Sequence, residues 1–221
     1  MSEIIVADGV TKRFRQPKRY SGLAGAIKGL VSREFTEVRA VEDISFSIRA
    51  GEAVGYLGPN GAGKSTMIKM MTGILVPTGG TLSVLGRTPH AERMTNAREI
   101  GVVFGQRSQL WWDLPVHDSF ELHRRIYDVP EARYRENLAH LTRMLGIEGY
   151  LDRAVRQLSL GQRMRAEIAM ALLHDPRILF LDEPTIGLDV VAKDAVRRFL
   201  SQVNRERGVT IILTTHDLQD I

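Results

Sequence analysis

The stretch AVGYLGPNGAGKSTMIKMM, residues 53 to 71, constrains this chain more than any other. AVGYL is a continuous apolar run bounded by glycines, the pattern of a strand buried on both faces. MIKMM reads as helix. Between them GPNGAGKST at 58–66 sets Gly58, four residues, then Gly63, Lys64 and Ser65, the spacing of a phosphate-cradling loop. Glycines let the backbone of Gly58, Asn60, Gly61 and Gly63 curl so that N–H groups point inward, and Thr66 continues the turn into the helix. Lys64 supplies a cation to terminal phosphates and Ser65 a hydroxyl ligand for magnesium. A purely structural glycine turn is the alternative, but strand before, helix after and the lysine-serine pair favour phosphate.

The remaining pattern fits an α/β core. EIIVA at 3–7 and the alternating ISFSI at 44–48 read as strands, followed by TLSVLG at 81–86 and IGVVF at 100–104. Between Gln16 and Val38 the pattern is irregular, with a short helix expected near Leu23 to Val31, so this segment reads as an insertion. From Asp118 to Leu145 the chain is helical in pattern, with Tyr134, Leu138, Leu141 and Leu145 on one face. RILFLDEP at 177–184 and VTIILTTH at 209–216 are two further buried-strand patterns. The first ends in Asp182, placed to reach magnesium, and Glu183, placed to take a proton from an attacking water.

LSLGQRMR at 158–165 opens an amphipathic helix, with Met164, Ile168 and Leu172 spaced by four. Ser159 stands where an N-cap would. A capping serine beside a glycine is either an ordinary helix start or an anion site at the positive end of the helix dipole.

Taken in order, these motifs resemble the nucleotide-binding subunit of ABC transporters, over essentially all of residues 3 to 221. The resemblance implies a P-loop NTPase core: a mixed, mainly parallel sheet with flanking helices and an N-terminal antiparallel part. That core takes residues 1–106 and 161–221, and 107–160 form an inserted helical subdomain. It implies ATP and Mg²⁺ as ligands. Phe14 in TKRF matches the aromatic that stacks on adenine. Gln106 in VVFGQ matches the glutamine that senses magnesium and the γ-phosphate, making Ser65, Gln106 and Asp182 the magnesium set. Glu183, His216 in TTH and Gln106 are the catalytic group, and Asp189 in GLD matches the loop that crosses between subunits. LSLGQ is similar to the family's LSGGQ, so Ser159, Gly161 and Gln162 are expected to bind the ATP of a second subunit in a head-to-tail homodimer or heterodimer. The sequence departs from that pattern at Leu160.

Trp111 and Trp112 in QRSQLWWDLP are read either as anchors for a membrane subunit or as core residues of the helical part. Together with LSLGQRMR and the insertion after TKRF, they look like bacterial ATPases paired with ABC-2 type membrane permeases, mostly exporters. The implied place is the cytoplasmic side of the membrane. An apolar fraction of 43% and a charged fraction of 25% are those of a globular domain, and the longest apolar runs are too short to span a bilayer. The N-terminus has no basic region followed by an apolar stretch, so it does not read as a secretory signal. The absence of cysteine excludes disulfides and thiolate metal sites and fits a reducing compartment.

Charge concentrates in Lys12 to Arg39, a stretch that suits either a solvated face or an anionic partner. Work on nucleic acid or ribosomes is the second reading. It is disfavoured because repair ATPases of this type carry long coiled coils and translation factors two ATPase domains, so no direct nucleic-acid partner is expected. A third class, an unrelated P-loop kinase or GTPase, would lack LSLGQ and the terminal histidine. Family members continue beyond the switch histidine, so HDLQDI is expected to end a fragment lacking its C-terminal region.

Overall fold

The computed structural model describes residues 2–17, 35–105 and 107–217. In chain order the elements are β1 (Glu3–Pro17), β2 (Phe35–Arg49), β3 (Ala53–Leu57), α1 (Lys64–Met71), β4 (Gly79–Val84), α2 (Arg93–Glu99), β5 (Ile100–Phe104), α3 (Val116–Ile126) and α4 (Glu131–Leu145). Then come α5 (Leu160–Leu172), β6 (Ile178–Asp182), α6 (Val190–Arg207) and β7 (Thr210–Thr215). They make two sheets, an antiparallel one in the order β2-β1-β4 and a parallel one in the order β3-β7-β6-β5. No helix among the described residues is long and apolar enough to cross a membrane.

The parallel sheet is held from both sides. Leu179 and Leu181 of β6 face a core shared with the helices α3 to α6, whereas Ile178 and Phe180 face a second core beneath α1 and the antiparallel sheet. This division follows from side chains alternating across a strand. It explains why ILFL reads as one uninterrupted apolar run: all four residues are fully buried, two on each face.

Three expectations change. AVGYL is the strand β3, but its ends Ala53 and Leu57 are exposed and the residues between them half-buried, because among the described residues it pairs only with β7, at the edge of the sheet. The irregular segment from Gln16 to Val38 is narrower than the pattern implies, since β1 runs to Pro17 and β2 begins at Phe35, with Phe14 opposite Val38. Alternating charges disguise these strands. They pair across the ladder, with Arg13 lying 3.9 Å from Glu37 and 3.6 Å from Glu42. The helix expected near Leu23 to Val31 lies outside the described residues.

Finally, the helical run from Asp118 to Leu145 is two helices, α3 and α4. Proline at 130 offers no N–H and disfavours helix at the residue before it, and Asp128 turns the chain with a φ of 51°. Tyr134, Leu141 and Leu145 are buried and Leu138 is half-buried, on the face the sequence assigns.

Candidate active site

The site forms where β3, β6 and β7 end together, a consequence of their in-register parallel pairing: Leu57 lies opposite Thr215 and Asp182 opposite Thr214. From Leu57 the chain enters the glycine loop and then α1. Gly63 caps that helix with a φ of 85°, and a β-carbon there would lie 2.1 Å from the Ala40 carbonyl oxygen, so only glycine fits. No side chain caps α1. The first-turn N–H groups of a helix have no partners within it, and here Lys64, Ser65 and Thr66 line a cavity of about 560 Å³. Asn60, Gly61, Gly63, Asp182 and Glu183 line the same cavity.

Its chemistry is dense in charge. The Lys64 ammonium is almost wholly buried. It donates to the carbonyls of Gly58 at 2.7 Å and Pro59 at 3.1 Å and pairs with Glu183 Oε1 at 3.2 Å. Buried ions persist only when so compensated. His216 Nδ1 stands 3.3 Å from the other Glu183 oxygen. Ser65 donates from Oγ to Asp182 Oδ1 at 2.9 Å.

One residue holds both acids in place, and no motif assigns it. Thr214, two residues before His216, donates from Oγ1 to Asp182 Oδ1 at 2.7 Å and accepts from the Glu183 N–H, at 3.1 Å, through both its carbonyl and its hydroxyl. Glu183 itself has a φ of 52°, a left-handed conformation costly for a residue with a side chain. Such strain persists only where surroundings over-determine it, and the Thr214 clamp does so. The TTH triplet is the signal that points to Thr214. Lys69 and Arg107, also unassigned by motif, line the cavity and add cationic charge suited to a polyphosphate.

Magnesium prefers hard oxygen donors and keeps water and phosphate in most of its positions. The Ser65 hydroxyl and Asp182 carboxylate, converging on the cavity, fit that ion. Gln106, the third expected ligand, lies outside the described residues.

The other expected residues stand apart from this cavity. Phe14 is a half-buried β1 residue with the Lys12 ammonium 5.1 Å from its ring centre, and it does not line the cavity. Ser159 and Gln162 close a reciprocal cap on α5: the Gln162 N–H donates to Ser159 Oγ at 3.2 Å and the Ser159 N–H to Gln162 Oε1 at 3.0 Å. Leu160 is half-buried, and a β-carbon on Gly187 would lie 3.1 Å from its Cδ2, so its side chain points at the GLD loop. A β-carbon on Gly161 would likewise meet Ala192. Asp189 caps α6, accepting from the Ala192 N–H at 2.8 Å. LSLGQ and GLD are thus neighbours, and neither lines the phosphate cavity, although Ile186, just before GLD, does.

Trp111 and Trp112 are 55% and 51% exposed, which removes the core-filling reading.

A family profile described as "ABC transporter" matches residues 41–186. The chain is 34% identical over 194 residues to the ABC transporter ATP-binding protein NatA of Bacillus subtilis, covering 86% of this chain and 78% of that protein. It is 37% identical over 189 residues to the methionine import ATP-binding protein MetN 2 of Bacillus licheniformis, covering 84% of this chain and 55% of the relative. Among solved structures, it superposes with a TM-score of 0.78 on a dimeric post-hydrolysis state of an ATP-binding cassette bound to ADP and Pi. Identity there is 26%, over 98% of this chain and 89% of that one.

Proposed function

The chain belongs to the ABC transporter family, and from that premise we propose that it binds and hydrolyses Mg-ATP as a head-to-tail dimer, driving export through a separate ABC-2 type permease at the cytoplasmic face of the bacterial membrane. The observation that carries this reading is the convergence of Lys64, Ser65, Asp182 and Glu183 on one cavity, with His216 ion-paired to Glu183 beside it. Residues 1–106 and 161–221 act as the ATP-binding core and 107–160 as the helical subdomain. The neighbouring LSLGQ and GLD segments supply the surface offered to a second cassette.

The geometry supports a sequence of events. An entering γ-phosphate takes over the Lys64 ammonium as counter-ion, releasing Glu183 Oε1 from the 3.2 Å pair. The freed carboxylate accepts a proton from the attacking water, while His216, beside Oε2, orients it. Ser65 and Asp182 would hold magnesium, which supplies charge neutralisation for the phosphates. Phe14 stacks on adenine, and Gln106 takes the family's role of sensing magnesium and the γ-phosphate. Ser159, Gly161 and Gln162 meet the γ-phosphate held by the other subunit, and the Leu160 side chain is turned toward Gly187. The exposed tryptophans give the permease an aromatic anchor.

The test is the solution mass of Glu183→Gln with and without MgATP. A monomer that dimerises only with MgATP supports the sandwich. Tight ATP binding by a persistent monomer counts against self-sufficient dimerisation, and failure to bind ATP overturns the reading. Export is tested with the matching permease in inside-out vesicles, where uptake is the expected direction.

A further inference from the structure

Glu167 is a carboxylate in an expensive place. It lies on α5, seven positions beyond Leu160, so about two helical turns from the LSLGQ cap. It is 4% exposed. Its side chain makes no contact with the nucleotide cavity. Instead it accepts from the Ser108 hydroxyl at 2.5 Å, from the Gln109 N–H at 2.9 Å and from the Leu110 N–H at 3.4 Å. Burial pushes its carboxyl up, and these three donors pull the other way. An apolar residue would fill the same space without that desolvation cost, so what the carboxylate adds is a hold on residues 108–110.

That segment occupies a specific position. It runs from the cavity-lining Arg107 to the exposed Trp111 and Trp112. On its far side Gln109 Nε2 donates to the Val102 carbonyl of β5 at 2.6 Å. A second contact from α5 reaches the same surface, with the Arg163 guanidinium 5.4 Å from the Trp112 ring centre. One helix therefore begins at the LSLGQ cap and grips, from its middle, the strap that leads to the tryptophans.

We propose that Glu167 is a positioning residue that makes the Ser108–Leu110 strap move with α5, so that engagement of the LSLGQ end by nucleotide displaces the Trp111–Trp112 surface. This rests on the proposed function, since it needs ATP to reach the start of α5. Glu167 touches no reacting atom; it acts through the strap.

The chain contains two tryptophans, and both lie on the surface in question, so intrinsic tryptophan emission reads it directly. The experiment uses the Glu183→Gln chain and titrates MgATP, following emission, with ATP affinity measured separately by equilibrium dialysis. The expected result is an ATP-dependent emission change that falls at least about fivefold on adding Glu167→Gln, with ATP affinity kept within about twofold. Ser108→Ala, at an exposed position, removes one donor without touching the buried charge and is expected to lower the amplitude partially. It decides the matter if the Glu167 variant does not fold. Full amplitude in both folded variants, or no emission change in a parent that binds ATP, overturns the inference and leaves the functional reading standing. A parent that binds no ATP removes the functional reading itself.

Discussion

Two of the helices that begin at glycine-bearing segments, α1 and α5, begin differently. α1 starts from Gly63 with no side-chain cap, and its first turn opens onto a cavity holding Lys64, Asp182 and Glu183. α5 starts from Ser159 with both donors of a capping box already matched by its own side chains. Donors left over at a helix N-terminus are what an anion uses. The comparison teaches that α1 keeps its donors, a cation and two acids in one place, a complete half of the chemistry. α5 spends its Gln162 N–H on its own cap and has no residue in the cavity that holds the cation and the acids, so it suits an auxiliary surface that closes on a ligand held elsewhere.

The contrast can be broken most sharply at α1. Lys64→Ala removes the buried cation, and ATP affinity is expected to fall about 100-fold in equilibrium binding, as for loss of a charge-assisted hydrogen bond to phosphate. Glu183→Gln is expected to leave that affinity in place and lower steady-state turnover by about 10²-fold or more; normal turnover would mean another group takes the proton. At α5, Ser159→Ala should cost about 1 kcal/mol in denaturant unfolding through loss of the cap, leave nucleotide affinity near that of the parent, and suppress ATP-dependent dimerisation. If Ser159→Ala instead weakened ATP binding as much as Lys64→Ala, the two ends would not be separable.

A smaller effect separates the surroundings of the two ends. His123 on α3 and His174 beyond α5 lie 3.1 Å apart, stacked on Tyr127, and His174 Nε2 meets the Ile100 carbonyl of β5 at 3.0 Å. Burial, with the neighbouring histidine, lowers His123 to about 3, and burial lowers His174 to about 4. Both are therefore neutral in the folded chain, whereas unfolding lets each take up a proton below its ordinary value of 6.5. Stability is accordingly full above about pH 6.5 and falls as the pH drops toward 4, on the order of 1 kcal/mol per pH unit. Chemical denaturation across that range checks it, and His123→Phe should flatten the slope. Smallest of all, Trp111→Ala and Trp112→Ala should change unfolding free energy by no more than about 0.5 kcal/mol, as exposed residues do, while impairing association with the permease.

The strands β5, β6 and β7 and the phosphate loop were legible because local pattern and tertiary role coincide there: a strand buried on both faces must be apolar throughout, and a loop that approaches phosphate must be glycine-rich. The cap at Ser159 was legible for the same local reason. Other features were not. The outer half of β1 and β2 carries alternating arginine and glutamate that resemble a loop until their partners lie opposite. The edge position of β3 depends on which strand pairs with it, which its own apolar run does not encode. The break before α4 was signalled by Pro130, against a hydrophobic period that continues through it.

What the sequence by itself determined is which residues the loop into α1 presents and which segments form the strands around it, since spacing fixes which atoms a short segment presents. Only the tertiary structure decided that Thr214 clamps Asp182 and the strained Glu183, that Leu160 turns toward Gly187, and that Glu167 grips Ser108 to Leu110. Each is a contact across more than 25 residues. Its partners share neither period nor motif, and packing alone brings them within hydrogen-bonding or van der Waals reach.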